Sequence, residues 1–311
     1  MSRVKSSTSS EISTQQIVWA AIAWAVVSLM FYLFLSAPTE VTPAIKPQGC
    51  INVVKDFTFR PNWYRSGTYI FQTVAIAASG LLCLRNWRSP KILNGRTVWL
   101  GLGLGILSWG IGNLIFGYLD FQYQSGLIGA GAKGATDLVS TFPSIADIFF
   151  TATYAFLAWG MAMSVIGRRL NLYPKQWAIV GGVGFVGIAM AAYVTFGVGG
   201  AITEDQYTGK ILNTVYALGD IWLLIVATIL LLAFWGGKAA QSWRLLGSAG
   251  ISMFLSDLWF NYSINSSEPC KPYQSGEPTE FFWILAFLLW GMAAALEFDL
   301  SSKPTARSRR N

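Results

Sequence analysis

Asp220 and Asp257 both stand inside long apolar stretches, and no lysine or arginine lies in the core of any such stretch to neutralise them. An aspartate at mid-bilayer costs roughly 3 kcal/mol on insertion scales. Each must carry a proton, sit in a hydrated cavity, or meet a ligand cation. One reading is therefore a proton- or cation-binding site. The other is structural: a protonated carboxyl hydrogen-bonded to Asn113, Ser256, Tyr69 or Tyr216 joins helices together. Trp109, Trp222 and Trp259 extend both readings. Buried, they need a partner for the indole N–H, and they either line a pocket for an apolar or aromatic ligand or simply pack. Asp147 and Glu280 follow Pro143 and Pro278 closely. They fit the first turn of a helix, where an acid meets the positive end of the dipole.

Other chemistry is excluded by what the chain lacks. It has no histidine, which removes histidine-ligated zinc or haem and Ser-His-Asp catalysis. No lysine sits mid-span to form a Schiff base, and no phosphate loop of the G-x-x-x-x-G-K type is present. No catalytic constellation, metal site or cofactor is expected.

The elements that carry these residues follow from composition. Of 311 residues, 53% are hydrophobic and 12% charged, half the charged share of an ordinary soluble domain, about 25%. The apolar residues form eight runs, at 17–36, 68–85, 97–118, 145–166, 177–196, 211–234, 243–262 and 280–297. Runs of about 20 read as membrane-spanning helices. The expected fold is an all-α polytopic membrane protein with the bilayer as its first partner. The first run is too long for a signal peptide and reads as a retained anchor. In these runs Asp220 falls roughly 14 Å and Asp257 roughly 8 Å below the outer surface.

Lysine and arginine give the orientation. With both termini cytoplasmic, inside segments hold 15 of the 22 basic residues and outside segments 7, as the positive-inside rule demands. Trp87, Trp99, Trp177, Trp235 and Trp243 fall near inner helix ends, where indoles suit the headgroup level. The net charge of +7 is then a topology signal and implies no nucleic acid. A bacterial cytoplasmic membrane, or a photosynthetic internal one, is the expected location.

A pattern occurs twice. Tyr118, Tyr123-Gln124-Ser125-Gly126 and Trp159-Gly160-Met161-Ala162 recur as Tyr262, Tyr273-Gln274-Ser275-Gly276 and Trp290-Gly291-Met292-Ala293. Such self-similarity signals an internal repeat. Two parallel four-helix halves are expected, 17–172 and 173–298, between a tail at 1–16 and a basic tail at 299–311. Tyr69 then corresponds to Tyr216, Asn113 to Asp257, and Thr73 to Asp220. Glycines crowd run three (Gly101, Gly103, Gly105, Gly110, Gly112, Gly117) and run five (Gly181, Gly182, Gly184, Gly187) and predict close helix contacts. Cys50 and Cys270 both fall in outer loops and are disulfide candidates. Cys83 reads as a small buried apolar side chain.

Trp109-Gly110-x-Gly112-Asn113, then Tyr118, then Phe142-Pro143-Ser144-Ile145-Ala146-Asp147-Ile148-Phe149-Phe150 with Tyr154 resembles a recurring bacterial pattern. It is similar to the multi-span membrane regions that precede diguanylate cyclase or histidine kinase output domains. The resemblance implies a sensory or ligand-binding module. No output domain follows run eight, so it would act through a partner. Two functions are therefore expected. One is a non-enzymatic membrane module, sensory or accessory, binding a partner protein or small ligand from the outer side. The other is a small proton- or cation-coupled transporter using Asp220 and Asp257. The candidate binding residues are Asp220, Asp257, Asn113, Tyr69, Tyr216 and Trp259.

Overall fold

The computed structural model describes residues 13–36, 40–41, 58–92, 95–124, 144–166, 170–198, 207–236, 240–266 and 273–302. Cys50 and Cys270 lie outside them. Eight long helices are described: α1 Thr14–Phe34, α2 Asn62–Arg88, α3 Arg96–Gln124, α4 Ile145–Val165, α5 Pro174–Ala192, α6 Tyr207–Ala233, α7 Gln241–Ser266 and α8 Phe281–Ser302. The only strands among the described residues are β1 Glu40–Val41 and β2 Thr58–Phe59, paired antiparallel. All the helices but α7 are long and apolar enough to cross a membrane, which makes seven. The seventh helix is more polar because it carries much of the hydrogen bonding described below.

Local signals set several ends. Ser13 and Gln16 form a capping box at the start of α1, and Ser144 and Asp147 form one at α4. Pro174 opens α5, where its missing N–H costs nothing. At the other end α5 widens into a π-helical turn, Tyr193–Gly197.

Six helices close into a ring in the order α2, α3, α4, α6, α7, α8 and back to α2, while α1 packs outside on α8 and α5 outside on α6. Within the ring α3 runs antiparallel to α2 and α4, and α7 antiparallel to α6 and α8. The two seams are parallel. At one, Tyr216 meets Asp147 and Trp222 meets Ala158. At the other, Gln72 meets Glu280 and Asn86 meets Ala294. Ser108 donates to the Phe149 carbonyl at 2.8 Å between α3 and α4. Ser252 donates to the Phe282 carbonyl at 2.7 Å between α7 and α8.

The glycines of α3 divide between its neighbours. Gly101, Gly105 and Gly112 face α4, and Gly103, Gly110 and Gly117 face α2. A Cβ on Gly101 would sit 2.6 Å from the Gly160 Cα, so backbone touches backbone there. The expectation fails in part for α5. Gly184 and Gly187 face α6, but among the described residues a Cβ added at Gly181 or Gly182 would meet nothing within 4 Å, because only α6 packs beside α5 along that stretch.

The tryptophans also divide. Trp177 and Trp235 are exposed, as an interfacial belt requires. Trp99 and Trp243 are instead buried, with ring centroids 6.3 Å apart, because they face the ring interior. Trp109 is core, against Phe150, Trp283 and Phe287. Trp222 and Trp259 are not buried; each is 44% exposed. Cys83 is buried and free.

Candidate functional site

The ring brings Asp220 of α6 and Asp257 of α7 together on one phenol. The Tyr154 hydroxyl of α4 lies 2.9 Å from an Asp220 oxygen and 2.9 Å from an Asp257 oxygen. Trp283 Nε1 of α8 donates to the other Asp257 oxygen at 2.8 Å. All four elements that meet here contribute one group.

Counting protons constrains this cluster. A phenol has one O–H to donate. Two ionised carboxylates on the same oxygen would leave one O···O contact with no hydrogen between. One further proton, or a cation in its place, is required. No lysine or arginine supplies it, and among the described residues no group of three His, Cys, Asp or Glu could hold a metal ion.

Both aspartates stand farther from their helix ends than from the ends of the apolar runs. Asp220 is 13 residues past Tyr207 and Asp257 nine residues before Ser266, so roughly 20 and 14 Å from those helix ends. The helices extend past their apolar cores. Gly219 makes room for the cluster: a Cβ there would stand 2.4 Å from the Tyr154 ring. Behind that ring Tyr216 stacks at 5.3 Å and donates to Asp147 at 2.8 Å. Asp147 accepts from the Ser144 N–H and hydroxyl as well, so its capping role holds and Tyr216 adds to it.

A crevice of about 10 Å³ reaches Asp220, lined by Ala191, Val194, Thr195, Ala217, Phe254, Leu258 and Asn261. That is about the room one water needs. It lies between α6, α7 and the π turn after α5. π-helical turns gather at functional sites. In the other direction the cluster meets apolar packing. Leu157, Met161, Leu223, Ala227, Met253 and Phe287 are all buried in one apolar core. The crevice therefore lies toward the end of the bundle that carries the long connections 37–61, 125–144 and 267–280.

The other candidates lie elsewhere. Tyr69 bonds Asp120 at 3.0 Å and Ser275 at 2.9 Å. Trp259 Nε1 donates to Glu277 at 2.7 Å and so ties α7 to the turn before α8. Asn113 is buried and its Nδ2 has no hydrogen-bond partner among the described residues. Ser256 bonds the Thr279 carbonyl and not an aspartate.

A second polar group escaped sequence reasoning. Arg65 of α2 is fully buried, forms an ion pair with Asp120 of α3, and lies 4.9 Å from the Phe121 ring centroid. Beside it, Glu280 accepts from Tyr273 at 2.5 Å, the Gly276 N–H at 2.6 Å and Gln72 at 2.9 Å. Gly276 has φ of 104°, which suits glycine, and its carbonyl accepts from Tyr64 at 2.9 Å. Burial and the nearby Glu280 carboxylate push the Tyr273 phenol well above its ordinary value. These bonds clamp the segment 273–280 onto α2. Tyr154, Arg65 and Asp120 carried no signal strong enough to single them out: one reads as core, the others fall beyond the apolar runs.

Comparison with protein-family models, curated proteins and solved structures finds no match for this chain.

Proposed function

We propose that this chain is a non-enzymatic membrane module of eight spans, α7 included, whose Asp220–Tyr154–Asp257 cluster binds a small cation, a proton being the smallest. The observation that carries this is the pair of aspartates on one hydroxyl, open by a crevice to one end and closed by apolar packing at the other. A crevice toward one end suits binding from one side, as a sensory or accessory role needs. Coupled transport would need a second conformation in which the packing of Leu223, Met253 and Phe287 opens. The lysine and arginine bias supports an orientation with the long-connection end outside, in a bacterial cytoplasmic membrane on our reading. The matching order of helices around the ring and the paired Ser108 and Ser252 bonds support the reading of two like halves. On that reading one half keeps the carboxyl site and the other has Thr73 and Asn113 in its place.

Infrared difference spectroscopy in nanodiscs tests the reading. A change of bulk pH should alter a carboxyl band in the wild type that is missing in the Asp220→Asn/Asp257→Asn double variant. Identical difference spectra from the two proteins would refute it. Solute flux by the purified protein alone would favour the transport reading instead.

A further inference from the structure

We infer that the crevice admits water and protons but excludes metal cations, and that Lys210 sets this selectivity. The inference rests on the reading that the carboxyl pair binds a small cation, and it names which one.

Lys210 is bonded to the crevice wall. Its Nζ donates to the Thr195 carbonyl in the π turn at 2.6 Å and to Asn265 Oδ1 at 3.2 Å. Asn265 Nδ2 in turn donates to the Asn261 carbonyl at 2.9 Å. Thr195 and Asn261 line the crevice, so the ammonium is held against that lining, directly at Thr195 and through Asn265 at Asn261. Two periodicities build this path. Lys210, Ala217 and Asp220 share one face of α6, and Asp257, Asn261 and Asn265 share one face of α7.

Lys210 cannot neutralise the carboxyl pair. It lies ten residues from Asp220, roughly 15 Å along the helix. Its charge acts on what enters. A metal cation must pass a fixed ammonium before it meets the oxygens of the crevice. Of the crevice lining, only Thr195, Asn261 and Asp220 offer any, and the remainder is Ala191, Val194, Ala217, Phe254 and Leu258. The volume of about 10 Å³ is about the room one water needs. A proton needs no more than that water to reach Asp220. The other titratable groups facing the pair are Tyr154 from α4, and behind it Tyr216 from α6 with Asp147 from α4; α8 presents the neutral Trp283.

The test is a pH titration of the carboxyl infrared band in nanodiscs, in sodium, potassium or choline chloride. The wild-type midpoint should be the same in all three salts. In Lys210→Gln, the midpoint should fall with sodium concentration, approaching one pH unit per tenfold at saturation, as competition between one cation and one proton requires. Lys210→Arg keeps the charge and should behave as wild type, which separates selectivity from misfolding. A sodium-dependent wild type, or a Lys210→Gln protein insensitive to every salt, would overturn the inference while leaving the carboxyl site intact. A band that titrates in no salt would overturn the site itself.

Discussion

Replacing Tyr154 by phenylalanine removes one oxygen and leaves the ring. Phenylalanine keeps the stack on Tyr216 at 5.3 Å and the fit against Gly219, so the change isolates the hydroxyl. Two contacts of 2.9 Å are lost. Hydrogen bonds between membrane helices average about 0.6 kcal/mol each, which gives about 1.2 kcal/mol as a lower figure. A buried acceptor left without its donor costs about 1–3 kcal/mol, and Asp220 loses its bond to Tyr154 whereas Asp257 keeps Trp283. The expected destabilisation is therefore about 1.5–3 kcal/mol. Reversible unfolding in mixed micelles measures it. The decisive assay is the double-mutant cycle with Asp220→Asn/Asp257→Asn. Once both carboxyls are amides, the same Tyr154→Phe change should cost only about 0.6 kcal/mol, a coupling of about 1 kcal/mol or more. Equal costs in the two backgrounds, within about 0.3 kcal/mol, would show that the hydroxyl does not bridge the pair.

Three further outcomes are expected. Gly219→Ala should destabilise by about 1–3 kcal/mol through overpacking against Tyr154, whereas Gly181→Ala, with open space around it, should be neutral or better in the same unfolding assay. Arg65→Met should cost about 3 kcal/mol by stranding Asp120, and Arg65→Met/Asp120→Leu should recover most of it. Stability should fall as pH rises above about 10, because Tyr273 ionises in the unfolded chain while its raised folded-state value keeps it protonated in the native one. In Tyr273→Phe that slope should be shallower by about 1.4 kcal/mol per pH unit, read from unfolding midpoints across the alkaline range.

The helical class and the helix order were legible because an apolar run near 20 residues matches the thickness of a bilayer and exceeds what a soluble core helix buries on every side. Asp220 and Asp257 were legible for the same reason: a carboxylate stands out in an apolar run. Their meeting on Tyr154 was not, since a tyrosine among Phe150, Phe156 and Leu157 looks like packing. Helix ends were the weaker part. The second run begins at 68 but α2 begins at Asn62, and the third run ends at 118 but α3 continues to Gln124. Arg65 and Asp120 lie in those extensions, where an ion pair offsets the polarity that hides a helix from hydropathy. Trp99 and Trp243 show a related limit. Position along a helix placed them near its end, but only the azimuth decides between headgroups and core.

The carboxyl cluster also has an order of assembly. Its members leave the ribosome as Tyr154, Asp220, Asp257 and Trp283. Asp220 precedes Asp257 by 37 residues, roughly 2–7 s of translation at ordinary rates. During that interval a nascent α6 has Tyr154 as its only cluster partner already made. Within the cluster, the tyrosine is thus the one partner that the first aspartate can meet before the second is made.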